Sequence, residues 1–311
     1  MRRASCPGCG RERGRCPLQR PRGWTPVEGA NAVEVAGALP MLDEAVAVTE
    51  SMVATLAHEG RYLRPTRCGE EFTMTAGKIA LRIAPQRVVG AVTDEDTPGG
   101  PANASMMGLV DRRGGALHRT FVTGDCDRMV VRALGHLAPS DAGREMLIGP
   151  ATSPAAPGPA TGAPSQVDEI LTLDGRERLL QLSELDTESY CQISTEWIPQ
   201  IFEHLCGSGS PVGLAVFNRG AMQACYGRIQ AALHEGPTLL TGFADAAVQI
   251  DLAHLDTCAI VRTPGSSGPD SAIELYDAGG SCAAMLTQFA TKDRAAAVEW
   301  EAIARSLCES A

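Results

Sequence analysis

Aromatic residues make up only 4% of the 311-residue chain, so any core it builds is filled largely by Ala, Val, Leu, Ile and Met. No apolar run approaches the ~20 residues that a membrane helix needs, and the N-terminus lacks the apolar stretch of a secretory signal. Both absences point to a cytoplasmic protein. The Gly-x-Ser-x-Gly, Walker, His-Glu-x-x-His and dinucleotide signatures are missing, which removes the commonest hydrolase, nucleotide, zinc-protease and dehydrogenase readings. Basic charge is also short. With 27 Lys and Arg against 37 Asp and Glu the net charge is −10, which argues against nucleic acid or acidic membranes as general partners. The 11 Cys are too irregularly spaced for a disulfide framework and read as reduced thiols.

What is present is globular: 44% hydrophobic and 21% charged residues, in a chain long enough for two domains with a core each. The chain also repeats itself. Ser271-Ala-Ile-Glu274-Leu275-Tyr276-Asp277-Ala-Gly-Gly280 keeps the frame of Ser105-Met-Met-Gly108-Leu109-Val110-Asp111-Arg-Arg-Gly114, 166 positions earlier and without a gap. The frame alternates as a strand and ends in a Gly suited to the positive φ of a tight hairpin. Each copy follows a strand-like run and a polar loop, and precedes a return strand and a helix. A duplicated α+β unit is the expectation.

Four segments follow. Residues 1–30 are a basic tail with Cys6, Cys9 and Cys16; seven Arg stand against Glu12 before residue 24. The Cys6-Pro-Gly-Cys9 turn with Cys16 supplies three of the four corners of a zinc site. A disordered arm, a zinc knuckle completed elsewhere, and a redox pair all remain open for it. Residues 31–136 are a first, shortened unit. Within it, residues 41–58 carry Leu42, Val46, Thr49, Val53 and Leu56 near the 3.6 period and read as a helix stopped by Gly60. Strands are expected around residues 71–75, 79–83, 87–92 and 116–122, then a helix from Asp127. Residues 137–166 are an Ala/Pro/Gly-rich linker. Residues 167–311 are a second unit. It opens with a helical or extended run and a helix from Trp197 with Ile201 and Leu205. Strands at 212–217, 221–226, 238–243, 247–252 and 257–262 come next, then the repeat hairpin and a closing helix around Trp300.

Bottom-up, no catalytic constellation emerges. None of the six His pairs at metal-binding spacing. His118 reads as a partly exposed structural residue, and His204 and His254 as structural or pocket residues. Cys225, in a half-buried strand, reads as an inert hydrophobe. Asn218-Arg219-Gly220 reads as a tight turn.

One stretch carries a family pattern. Val212-Gly-Leu-Ala-Val-Phe217-Asn218-Arg219-Gly220-Ala-Met-Gln223 resembles the "MVFVGNRGCIQIH" strand pair of the HemS/ChuS (HemS/ChuX-type) haem-utilisation family, the hemin-degrading factors. His254-Leu255 followed by Ile260-Val261-Arg262-Thr263-Pro264 is similar to its His-Ile and Val-Val-Arg-Lys-Pro segments. The hairpin at Glu274-Leu275-Tyr276-Asp277 is similar to its "SLELFDA". In the first unit Gly115-Ala-Leu-His118-Arg119-Thr-Phe121 resembles its "G-x-A-V-H-K-V-Y" strand. The resemblance implies tandem α+β halves, each an antiparallel sheet flanked by helices, and a cytoplasmic protein of haem utilisation and iron transport. It further implies haem bound mainly by the second half through an axial His and basic residues at the propionates, with hemin degradation in some members. A haem uptake transporter and an electron donor are the partners it suggests.

The departures are specific. The segment that should bring the axial His contains none, Thr263 replaces a Lys, Cys225 replaces a His, and Ala290 replaces an Arg. His254 and His204 are the remaining candidates for the axial ligand, with Arg219 and Arg262 for the propionates. A fold relative that has lost the haem site and acts in regulation or interaction is the competing expectation.

Overall fold

The computed structural model describes residues 25–27, 32–64, 66–68, 71–74, 79–94, 104–134, 166–173, 175–265, 268–288 and 294–310. Of the tail expected at 1–30 only residues 25–27 are described, as a strand, and of the linker expected at 137–166 only Gln166, which opens a helix; Cys6, Cys9 and Cys16 lie outside the described residues. The chain divides into two compact units. The first is residues 1–50 and 57–158 with Arg219–Gln223; the second is Ser51–Leu56, residues 159–218 and residues 224–311.

The first half of the sequence supplies β1 Thr25–Val27, β2 Ala45–Glu50, β3 Ala54–Gly60, β4 Thr66–Cys68, β5 Glu71–Met74, β6 Ala80–Ile83, β7 Gly90–Asp94, β8 Ser105–Val110 and β9 Ala116–Val122. The second half supplies β10 Tyr190–Ile193, β11 Pro211–Phe217, β12 Ala221–Arg228, β13 Ala231–Glu235, β14 Thr238–Gly242, β15 Ala246–Asp251, β16 Leu255–Gly265, β17 Gly268–Asp277 and β18 Cys282–Thr287. The first unit orders its strands β1-β7-β8-β9-β2-β3, with a β6-β5-β4 set; the second orders them β10-β16-β17-β18-β11-β12, with a β15-β14-β13 set. Adding nine to each strand number of the first order yields the second. The duplication therefore extends to every strand among the described residues, and the first unit is not short of any.

The repeat frame has a physical reason in each copy. In the β8–β9 hairpin the Asp111 carboxylate accepts the N–H groups of Arg113 and Gly115, both at 2.8 Å, and Gly114 takes φ 74°. In the β17–β18 hairpin Asp277 accepts those of Gly279 and Ser281, both at 2.9 Å, and Gly280 takes φ 79°. The Asp replaces the backbone acceptors that the turn lacks, and Gly supplies the left-handed residue. Even the bulge recurs at one place in the frame, between Leu109 and Val110 and between Leu275 and Tyr276.

Among the described residues six α-helices accompany the strands: α1 Ala32–Ala38, α2 Asp125–Leu134, α3 Gln166–Thr172, α4 Gly175–Ser183, α5 Trp197–Ser208 and α6 Arg294–Glu309. In the second unit, Ile198, Ile201, Phe202 and Leu205 of α5 and Trp300 and Ala304 of α6 pack with Val212, Leu214, Val216, Ile273 and Leu275 of the sheet. Trp197 itself is 41% exposed, so the buried stripe of α5 starts one residue later than the sequence suggests. Trp300 Nε1 donates to Ser271 O at 2.7 Å, and Glu301 accepts from Ser271 N and Oγ, which fastens α6 to β17. The first unit has its own core around Val35, Leu39, Leu42, Ile79, Leu81, Ile83 and Leu109.

Two expectations fail. Residues 41–58 are not a helix but β2, a turn and β3. Ala45, Ala47 and Thr49 are buried in alternation with Val46, Val48 and Glu50, and Ser51 N donates to Ala54 O at 2.7 Å to reverse the chain. Where nearly every residue is small or apolar, a 3.6 period can be picked out of a period of two, and the β-branched content decides for strand. The cysteines are not all reduced either: Cys191 and Cys308 form a disulfide across a sequence separation of 117, with Cα atoms 6.0 Å apart. Spacing cannot reveal such a pair, because only the fold brings α6 to β10.

Candidate functional site

The polar feature of the second unit is a buried carboxylate. Glu274 sits in β17 with no exposed surface, on the strand face opposite Ile273 and Leu275. Arg178 of α4 donates to it twice, Nε to Oε2 at 3.0 Å and Nη2 to Oε1 at 2.5 Å. Gln166 of α3 donates Nε2 to Oε1 at 2.6 Å, and the Tyr276 hydroxyl donates to Oε2. Arg178 Nη1 reaches Glu169 Oε2 at 2.7 Å. The network ties the α3–α4 pair to the middle of the sheet. At the start of α4, a Cβ added to Gly175 would lie 2.6 Å from Ser281 Oγ and 2.8 Å from Ser281 N, so only Gly lets helix and hairpin come this close.

The electrostatics follow from that carboxylate. Burial, then the negative Glu274, pushes the Tyr276 phenol well above its ordinary range and the Cys282 thiol well above 9. Tyr190 is raised for the same two reasons. Burial works against the Arg178 cation, but the hydrogen bond and charge of Glu274 outweigh it and hold the guanidinium charged. Tyr276 is thus a neutral donor and Arg178 a fixed cation. The group is satisfied, as a buried ion pair must be, and its chemistry is that of an anchor.

The first unit carries a different buried network. His118 in β9 is 2% exposed, not partly exposed as its strand suggests. Its Nδ1 meets Thr49 Oγ1 at 2.9 Å, and its Nε2 meets the Tyr62 hydroxyl at 2.8 Å. Tyr62 also meets Thr120 Oγ1 at 2.9 Å. Thr49 donates to Gln223 Oε1 at 2.9 Å, and Gln223 Nε2 donates to Ala47 O at 3.1 Å. Burial, helped by the adjacent Arg119 charge, lowers the His118 pKa to about 3, so the ring is neutral.

The residues singled out from sequence are not gathered into one constellation. His254 ends a short 3-10 turn, Leu252–His254, where its Nδ1 lies 3.0 Å from Asp251 Oδ2 with the side chain 30% exposed. His204 on α5 is 56% exposed, with Nε2 3.9 Å from Glu299. Arg262 in β16 has its guanidinium shared among Glu188 O at 2.9 Å, Ala304 O at 3.5 Å and Cys308 Sγ at 3.4 Å. Arg219 is exposed in the link between β11 and β12. Cys225 is buried with its thiol pushed up to about 12 by burial and then by Asp245, as expected for an inert thiol. Cys6, Cys9 and Cys16 lie outside the described residues, and among the described residues no group of three His, Cys, Asp or Glu could hold a metal ion. Sequence reasoning missed Arg178 and the role of Glu274. The signal available was a Glu at the centre of an otherwise apolar strand.

Residues 177–307 match the family model of the haemin-degrading HemS/ChuX domain. The fold is shared with the Escherichia coli O157:H7 heme degrading enzyme ChuS, at 16% identity and TM-score 0.69, covering 89% of this chain and 85% of that one. It is shared also with PhuS, a heme-binding protein from Pseudomonas aeruginosa, at 17% identity and TM-score 0.67 over 88% of this chain and 83% of that one. No curated protein sequence matches the chain significantly.

Proposed function

We propose, on the match of residues 177–307 to the HemS/ChuX domain model, that the chain handles haem: a cytoplasmic carrier in haem utilisation whose second unit takes the ligand. The domain match carries the reading. Its strongest local support is His254. The Asp251 carboxylate lies 3.0 Å from its Nδ1 without making a hydrogen bond to it, so a carboxylate stands beside one imidazole nitrogen and Nε2 is the nitrogen that iron would take. Haem would bring the iron, and any redox chemistry, with it; the chain would supply one imidazole and cations for the propionates. His204 is the second candidate ligand. Arg262 would serve a propionate only by leaving its present acceptors, and Arg219 stands for that role on sequence grounds alone. Ring opening would further need an electron donor, and delivery a haem uptake transporter; both are partners of the same proposal. No helix among the described residues is long and apolar enough to cross a membrane.

A second reading rests on one observation. Arg178, Glu274 and Arg262 are each fully engaged in holding helices to the sheet, as in a fold relative that has lost its ligand. A hemin titration of the purified protein, followed at the Soret band with His254→Ala and His204→Ala in parallel, separates the two. Saturable one-to-one binding that is lost in His254→Ala is the expected result. Weak, non-saturating absorbance equal in all three proteins would establish the second reading instead.

A further inference from the structure

The disulfide has an arginine beside it. Cys191 lies in the edge strand β10 and Cys308 in the last turn of α6; both residues are partly exposed and sit at the margin of the core. Arg262 Nη2 stands 3.4 Å from Cys308 Sγ, and the same side chain holds Glu188 O and Ala304 O. Its backbone N–H donates to Ser189 O at 2.8 Å, so the cation is fixed from both ends. Glu309, next to Cys308, is exposed to solvent. The other described free thiols include the buried Cys225, Cys258 and Cys282, each pushed up by burial and unsuited to reaction. Cys308 therefore combines partial exposure with a neighbouring cation.

We propose that Cys191–Cys308 is a reversible thiol–disulfide exchange site, opened by a partner bearing a vicinal dithiol, with Arg262 setting which sulfur leaves. A thiolate of the partner attacks Cys191 Sγ, the Cys191–Cys308 bond breaks, and Cys308 departs as a thiolate beside the guanidinium. Departure is faster when the leaving thiol is more acidic, and an adjacent Arg makes it so. Cys308 then takes a proton from water, and the partner's second thiol displaces Cys191. The staple gains two electrons and two protons, and the partner's dithiol is oxidised to its own disulfide. Closure is the reverse, with a disulfide of the same partner class as oxidant. Because the bond joins the edge strand to the last turn of the closing helix, its opening releases α6 from β10 while Arg262 retains both ends for reclosure.

The test uses the full-length oxidised protein. Brief exposure to glutathione, acid quenching and peptide mass spectrometry are expected to place the mixed disulfide on Cys191. Dithiothreitol is expected to open the staple without unfolding, as read by alkylation of Cys191 and Cys308. Arg262→Gln should slow opening by about three- to tenfold, and Arg262→Lys should restore part of the rate. A mixed disulfide on Cys308, equal rates in all proteins, or opening only in denaturant would each overturn the proposal. The glutathione mapping needs no variant, so it decides even where Arg262→Gln fails to fold.

Discussion

Glu274 is the residue that holds the α3–α4 pair to the second unit's sheet. A buried carboxylate with four donors is stable only as a set, because each partner is desolvated for it. Glu274→Leu leaves the Arg178 charge buried with only Glu169, and should cost about 3–5 kcal/mol in urea unfolding. Adding Arg178→Leu should recover most of that loss, because the uncompensated cation is then gone; a double variant no more stable than the single one would contradict this account. His118 gives the opposite pH sign from a surface His. Its folded pKa of about 3 lies below the ordinary 6.5, so the unfolded chain binds the proton first. Stability is complete above about pH 6.5 and falls as pH drops towards 3, by up to ~1.4 kcal/mol per pH unit. Urea unfolding of the wild type and His118→Asn from pH 7 to 4 should show the slope flattened in the variant.

At the scale of elements, the two hairpin turns invite a paired comparison. Gly114 and Gly280 hold the same left-handed conformation, so Ala at either should cost about 1–2 kcal/mol in backbone strain. Gly280→Ala should cost more, because its new Cβ would also lie 2.8 Å from Arg176 Cγ and 3.1 Å from Arg176 Cα in α4. Unfolding midpoints of the two variants check the order. These turns were legible in the sequence because Asp and Gly at fixed offsets are demanded by local geometry. The alternating strands β14 and β15 were legible from their own pattern: Leu239, Val248 and Ile250 fall on buried positions of a period of two. β2 and β3 were not, since Ala, Val and Thr in continuous run fit either period. The three-residue strands β1 and β4 hold too few positions for any pattern. The engaged partners of Arg178 and Arg262 were out of reach altogether, because each joins residues far apart in the chain.

At the scale of the molecule, each unit takes a short segment from the other half of the sequence. Ser51–Leu56 belongs to the second unit, where Asp251 N donates to Val53 O at 2.7 Å and Val53 and Leu56 enter the core. A fragment of residues 159–311 therefore lacks part of its own core. It should unfold at lower urea than the second unit in the full chain and gain stability when a peptide of residues 51–56 with short flanks is added; indifference to the peptide would show that the segment is dispensable. The family pattern over the last hundred residues was readable because it is local to them, whereas the exchange of segments is written nowhere in one stretch.

The first unit has the matching debt, and it is owed to a later part of the chain. Arg219–Gln223 completes it: Ala84 N donates to Gly220 O, Leu117 packs against Gly220, and Gln223 closes the hydrogen bonds of Thr49. On a ribosome adding ~5–20 residues per second, roughly 5–20 s separate the emergence of Leu134 from that of Gln223. Throughout that interval the nascent first half waits with Thr49 and Leu117 uncovered, so the order of synthesis and the order of folding cannot coincide for this protein.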